Sequence, residues 1–165
     1  MNLDKKLKET EYLKKESWGK IISIIKKQFD QWVLEELASH NHHDFKLGHL
    51  PFIMNIASEG ISNNELAKRA RVTKQAMSKV AKELQELGYI VSQTDPKDGR
   101  VIIFSLTDRG KKFVIDARVC VKGLMDEYRG AIGKNKFDSM IQTLLEVIAY
   151  NEKKSGRTID SAQAS

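Results

Sequence analysis

The stretch TKQAMSKVAKELQELGYIVSQTDPKDGRVIIFSLTDRG, from Thr73 to Gly110, changes its period once, at Gly88. Before that glycine, Ala76, Met77, Val80, Leu84 and Leu87 gather on one side of a helix turning about 100° per residue. Lys74, Gln75, Ser78, Lys79 and Lys82 gather on the other. Gly88 supplies the left-handed position that ends a helix without a Cβ penalty. After it, Tyr89-Ile90-Val91 and Val101-Ile102-Ile103-Phe104 are β-branched and aromatic runs on either side of DPKDGR, the pattern of a hairpin. Asp95-Pro96 opens its turn, Gly99 is expected to close it at positive φ, and Lys97 and Arg100 are left at the tip.

The segment just upstream, EGISNNELAKRARVT, carries a helix start signal. Ser62 at the N-cap and Glu65 three residues later predict a capping box, and Leu66, Ala67 and Ala70 supply a narrow apolar face. This helix ends by Arg71, because Thr73 caps the next one. Two helices joined so tightly form a helix-turn-helix, and the hairpin behind them makes it a winged helix. Between Glu65 and Glu83 stand six basic residues, Lys68, Arg69, Arg71, Lys74, Lys79 and Lys82, and no acid. That local excess equals the formal net charge of the whole chain, +6, so the rest is balanced. A solvated face is the ordinary reading of a Lys-rich helix, but it leaves unexplained why acids are excluded here alone. Duplex DNA explains it. A helix of this width fits the major groove, and a hairpin arginine reaches the electronegative minor groove.

NELAKRARVTKQAMSKVAKELQELGYIVSQTDPKDGRVIIFSLTDRGKKFV, from Asn64 to Val114, resembles the multiple-antibiotic-resistance regulator (MarR) family of winged-helix repressors. The resemblance lies in the short helix, the recognition helix, Gly88, the DPKDGR wing and LTDRG. It implies DNA contacts from Lys74, Gln75, Ser78 and Lys79, and a wing arginine at Arg100 oriented by Asp98. Arg71, Thr73, Lys82 and Lys97 complete the candidate DNA-binding set. Two positions depart from the pattern: Arg71 stands where glycine is common, and Gln75-Ala76 where small hydroxylated residues are frequent. The resemblance further implies a ligand-responsive repressor that binds a pseudo-palindromic operator as a homodimer. Its effector would be a small lipophilic or phenolic molecule, with Trp18, Phe45, His49, Phe52 and Phe113 as candidate lining. Core packing accounts for each of those five equally well.

The flanks are helical. Trp18, Ile21, Ile22, Ile25, Phe29, Trp32, Val33 and Leu37 form one stripe of an N-terminal helix that must pack on its own domain or on a second copy. Phe113 to Tyr128 and Phe137 to Ile148 carry two further stripes around GAIGKNK. The expected fold is mainly α with a small β-hairpin wing. Residues 1–45 would form an N-terminal dimerisation helix, 46–110 the winged helix-turn-helix, 111–150 the C-terminal dimerisation helices, and 151–165 a flexible tail. HNHHD, from His40 to Asp44, breaks the first helix, and a second apolar helix follows from Gly48 or Leu50 to Ala57. His40, His42 and His43 invite a metal reading, yet no second set of ligands is spaced to match, so a solvated linker is favoured.

The remaining features narrow the class. The single Cys120 excludes an internal disulfide, and its aliphatic neighbours predict a buried, silent thiol. No apolar run approaches the roughly 20 residues of a membrane span, and MNLDKKLKETEYLKKE has no signal-peptide core, so a cytoplasmic protein with no membrane partner is expected. No Ser/His/Asp or Cys/His arrangement and no phosphate-cradling glycine loop is legible, so neither an enzyme nor a cofactor is expected. The alternatives are a metal- or redox-responsive regulator of the same fold, a winged helix that binds protein, and architectural DNA binding without regulation.

Overall fold

The computed structural model describes residues 2–14, 17–70 and 72–155. Among the described residues, seven helices and a small sheet follow in the order α1 (Leu3–Glu9), a 3-10 turn (Glu11–Lys14), α2 (Trp18–Ser39), a 3-10 turn (Leu47–His49), α3 (Leu50–Ile53), β1 (Ile61–Ser62), α4 (Asn63–Ala70), α5 (Lys74–Glu86), β2 (Ile90–Thr94), β3 (Ile102–Leu106), α6 (Asp108–Ile132) and α7 (Lys134–Ser155). The chain divides into two compact units, Met1–Ala117 and Arg118–Ser165, with the boundary inside α6.

In the first unit, the apolar stripe of α2 splits. Val33 and Leu37 are buried, with Phe29 and Trp32 packed against the same core, while Trp18, Ile21, Ile22 and Ile25 are exposed. The helix ends in a Schellman motif: Asn41 takes φ 67°, Asn41 N–H donates to Ala38 O and His42 N–H to Leu37 O. That left-handed residue turns the His42 side chain inward, where it is 5% exposed. The solvated-linker reading of HNHHD is therefore corrected, because Asn41 serves as a helix cap and not as part of a loose connection. The following apolar segment forms a 3-10 turn and only one turn of α-helix, with Pro51 at its start.

The winged helix assembles around this core. Ser62 Oγ accepts from Glu65 N–H at 3.2 Å, as the N-cap signal implied, but the Glu65 carboxylate accepts from Arg69 Nε instead of reaching back. Leu66 and Ala67 from α4 meet Met77, Ala81 and Leu84 from α5 in the core. Ala81 takes the buried position expected of Ala76, which is exposed. Gly88 stands at φ +73°, with its N–H on Gln85 O and Tyr89 N–H on Leu84 O, a second Schellman stop. The sheet has a third strand that the hairpin pattern does not reveal: order β1-β3-β2, all antiparallel, with Ile61 opposite Phe104 and Ser92 opposite Phe104 on the other side. Two residues are too short to show a period of two, so β1 has no periodic signature.

The second unit is a helical hairpin. Its turn is made by Gly133 at φ +93°, and Phe137 lies buried beside Tyr128, with ring centroids 5.7 Å apart. Arg129 ties the two arms together, donating to Asp126 and Asp138 at 2.8 Å. Cys120 is only partly buried, against the expectation of full burial. Helix α7 continues to Ser155, five residues beyond the expected helix end at 150, and residues 156–165 lie outside the described residues. Among the described residues no helix is long and apolar enough to cross a membrane.

Candidate nucleic-acid interface

Helix α5 presents Gln75, Ser78, Lys79 and Lys82 to solvent. Thr73 starts it, its Oγ1 accepting from Ala76 N–H at 3.2 Å, so that hydroxyl serves as a cap. Arg71 and the side chain of Lys74 lie outside the described residues. Lys82 Nζ stands 3.8 Å from Glu86, an exposed pair worth little, whereas Lys79 has no ion pair among the described residues.

The wing tip is built differently from the expected glycine turn. Gly99 is not among the glycines at positive φ. Two aspartates shape the turn instead: Asp95 Oδ1 accepts from Lys97 N–H at 2.8 Å, and Asp98 Oδ1 from Arg100 N–H at 3.0 Å. Asp98 thus orients Arg100 through its backbone. Lys97 and Arg100 are exposed and, among the described residues, have no ion pair. The tip therefore projects two cations from a rigid, hydrogen-bonded turn.

Three residues of the motif LTDRG, Thr107, Arg109 and Gly110, hold the start of α6 in place. Thr107 Oγ1 accepts from Gly110 N–H at 3.0 Å, capping α6, and donates to the Gly88 carbonyl at 2.6 Å. Arg109 donates to the Leu87 carbonyl, satisfying the last turn of α5, and to both carboxylate oxygens of Asp44 at 3.0 and 2.8 Å. Its guanidinium also lies over the Tyr89 ring, 4.3 Å from the centroid. Gly110 lets α6 approach the Tyr89 carbonyl.

Behind these contacts is a buried aromatic and histidine cluster. Tyr89 donates to Asp44 at 2.9 Å, and His42 bridges Tyr89 Oη and Asp116 at 3.2 and 3.0 Å. Burial, reinforced by the hydrogen bond to Asp44, pushes the Tyr89 phenol up to about 12. Burial would raise the Asp44 carboxyl, but hydrogen bonds from Tyr89 and Arg109 outweigh it and hold the group below its ordinary value. Both ring nitrogens of His42 are occupied within the fold, His40 bonds to Ser39 and the Glu36 carbonyl, and His43 is exposed. Of the five residues expected to line an effector space, Phe45, His49, Phe52 and Phe113 are buried and Trp18 is exposed. Phe45 and Phe113 stack with centroids 4.0 Å apart.

One contact to α5 escaped the sequence reading. Glu83, the first acid after the basic run, accepts from His49 Nε2 at 3.0 Å and from Lys46 Nζ at 2.9 Å. The hydrogen bond from His49, then that from Lys46, draws the Glu83 carboxyl down to about 2 from an ordinary 4.5. The depressed value means that the unfolded chain binds the proton first. Glu83 therefore stabilises the fold above pH 4.5, and that contribution is lost as the pH falls toward 2. Thermal melts across this window are expected to fall more steeply for the wild type than for Glu83→Gln. Parallel slopes would mean that the carboxylate is not clamped.

Residues 43–101 match the sequence model of the MarR family. The transcriptional regulator AdcR of Streptococcus pneumoniae is 32% identical over a region covering 44% of this chain and 57% of that protein. The chain spans about half the length of the curated relatives it matches. Among solved structures, the MarR family transcription regulator SP03579 superposes with a TM-score of 0.70 at 14% identity, covering 95% of this chain and all of that one (100%). The MepR–DNA complex of Staphylococcus aureus superposes at 0.65 and 17% identity, covering 81% and 97%. These two share the fold. Residues 43–101, which run from the short helices before the helix-turn-helix into the wing, thus match the MarR family, and the chain shares the fold of MarR-family structures.

Proposed function

We propose that this protein is a sequence-specific double-stranded DNA-binding transcriptional regulator, a ligand-responsive repressor that acts as a homodimer on a pseudo-palindromic operator. One observation carries the reading: a helix face bearing Gln75, Ser78 and Lys79 is exposed, and so is a wing tip whose Lys97 and Arg100 have no ion pair among the described residues. Cations left without acidic partners, on elements shaped for the two grooves, favour a polyanionic duplex. The MepR structure is of a complex with DNA, which supports extending that use to this winged helix. The dimer is supported by exposed apolar side chains in each unit, Trp18, Ile21, Ile22 and Ile25 in one and Met140, Leu145 and Ile148 in the other. The lipophilic or phenolic effector rests on the family resemblance. This reading places the protein in the cytoplasm with its DNA.

Fluorescence anisotropy on a duplex selected from a randomised pool tests the proposal, with sedimentation of the complex giving its stoichiometry. Two chains per duplex are expected. Lys79→Ala and Arg100→Ala should weaken all duplexes alike and lower the salt slope by about one unit each. Gln75→Ala or Ser78→Ala should instead relax the preference at one base position by roughly 1–3 kcal/mol. A wild-type protein that binds selected and scrambled duplexes equally would overturn the regulatory reading, and a monomer on DNA would overturn the dimer.

A further inference from the structure

We propose that His49 is a positioning residue for base readout: with Lys46 it clamps Glu83 and so fixes the roll of helix α5 about its own axis. The inference rests on the reading that α5 enters the major groove.

The geometry supports a clamp of fixed direction. His49 is 1% exposed. Its Nδ1 accepts from the Lys46 backbone N–H at 3.3 Å, which leaves Nε2 to carry the proton and donate to Glu83 Oε2 at 3.0 Å. The Phe45 ring meets the imidazole edge-on at 5.1 Å and blocks its rotation. Lys46 Nζ closes on the same carboxylate oxygen from solvent. Donors from both flanks of one turn, Leu47–His49 and its N-cap Lys46, therefore hold a single side chain of α5.

Glu83 is well placed to control roll. It lies one turn beyond Lys79 and next to Lys82, at the border between the buried row Met77, Ala81, Leu84 and the exposed face. The buried row is hydrocarbon, which fixes the depth of a helix more firmly than its rotation, because apolar contacts have no direction. With a helix radius of about 5–6 Å, a roll of about 20° moves a side-chain tip by about 2 Å. A base-edge hydrogen bond tolerates only a few tenths of an ångström, whereas a lysine on a flexible stem still finds a phosphate. Losing the clamp should thus cost selectivity while sparing nonspecific affinity.

The test compares affinities for the duplex selected by the wild type and a scrambled duplex of equal length, over a salt series. His49→Leu should reduce the selected-to-scrambled ratio by about tenfold, with scrambled affinity and salt slope unchanged. His49→Gln, whose amide N–H still reaches toward Glu83, should retain most of the ratio. Glu83→Gln and Lys46→Met change partly exposed side chains and should each lower the ratio several-fold. They decide the matter if His49→Leu does not fold. An undiminished ratio in the folded variants, or an equal loss on both duplexes, would overturn the positioning role. A wild type with no preference between duplexes would fail the DNA-reading proposal itself, and the inference with it.

Discussion

Gly110→Ala is expected to destabilise the fold by more than about 3 kcal/mol and to abolish DNA binding at physiological temperature. Gly110 is the third residue of α6, where alanine's helix propensity would ordinarily help by about 1 kcal/mol. The surroundings reverse that sign. A methyl group there would run into the Tyr89 carbonyl oxygen and come within 3.1 Å of its carbon and 3.2 Å of Leu106 Cδ2. That carbonyl is fixed, because it accepts from Thr107 N–H and Thr107 Oγ1, both at 3.1 Å. The backbone must separate at the joint where α5 ends, the wing begins and α6 starts. Gly123→Ala, in the same helix with nothing within 4 Å of the added methyl, should instead be neutral or stabilising. Urea denaturation of the pair measures the difference. A Gly110→Ala protein as stable as Gly123→Ala would show that the joint is not tightly closed.

Phe113→Ala is expected to cost about 3–5 kcal/mol. Phe113 is fully buried, at 0% exposure, and touches three other rings: it stacks on Phe45 and meets His42 and Tyr89 edge-on at 4.9 and 5.4 Å. Truncation removes a large apolar volume from the centre of the cluster and leaves the His42–Asp116 and Tyr89–Asp44 hydrogen bonds without packing support. Phe113→Leu, which refills part of the space, should lose markedly less. The magnitude also decides between two roles for this residue. A side chain that lines an open effector space tolerates truncation at under about 1 kcal/mol, since no packed cavity is created. A small loss on chemical denaturation would therefore move Phe113 from the core to the effector site.

The winged helix was legible because each of its parts has a local cause. Thr73, Gly88, the alternating strands and the six basic residues between Glu65 and Glu83 are all read from neighbours in the chain. The wing turn shows the limit of that reading: its position was clear, yet two aspartate side chains shape it and Gly99 does not take a positive φ. The stripe on α2 likewise marked a helix without telling which half is covered. Val33 and Leu37 meet the core, and Trp18 to Ile25 do not.

Local pattern alone places the ends of α4 and α5, the hairpin, and a basic face on the second helix. These follow from propensity, capping and period, which act over a few residues. Only the tertiary structure decided what the histidines and LTDRG are for. His42 reaches Asp116 across 74 positions, His49 reaches Glu83 across 34, and Arg109 reaches Asp44 across 65. No local pattern encodes such pairs. They exist because Asn41 turns the chain inward and brings the segment after α2 against α5 and the start of α6. Burial then requires every polar group there to find a partner.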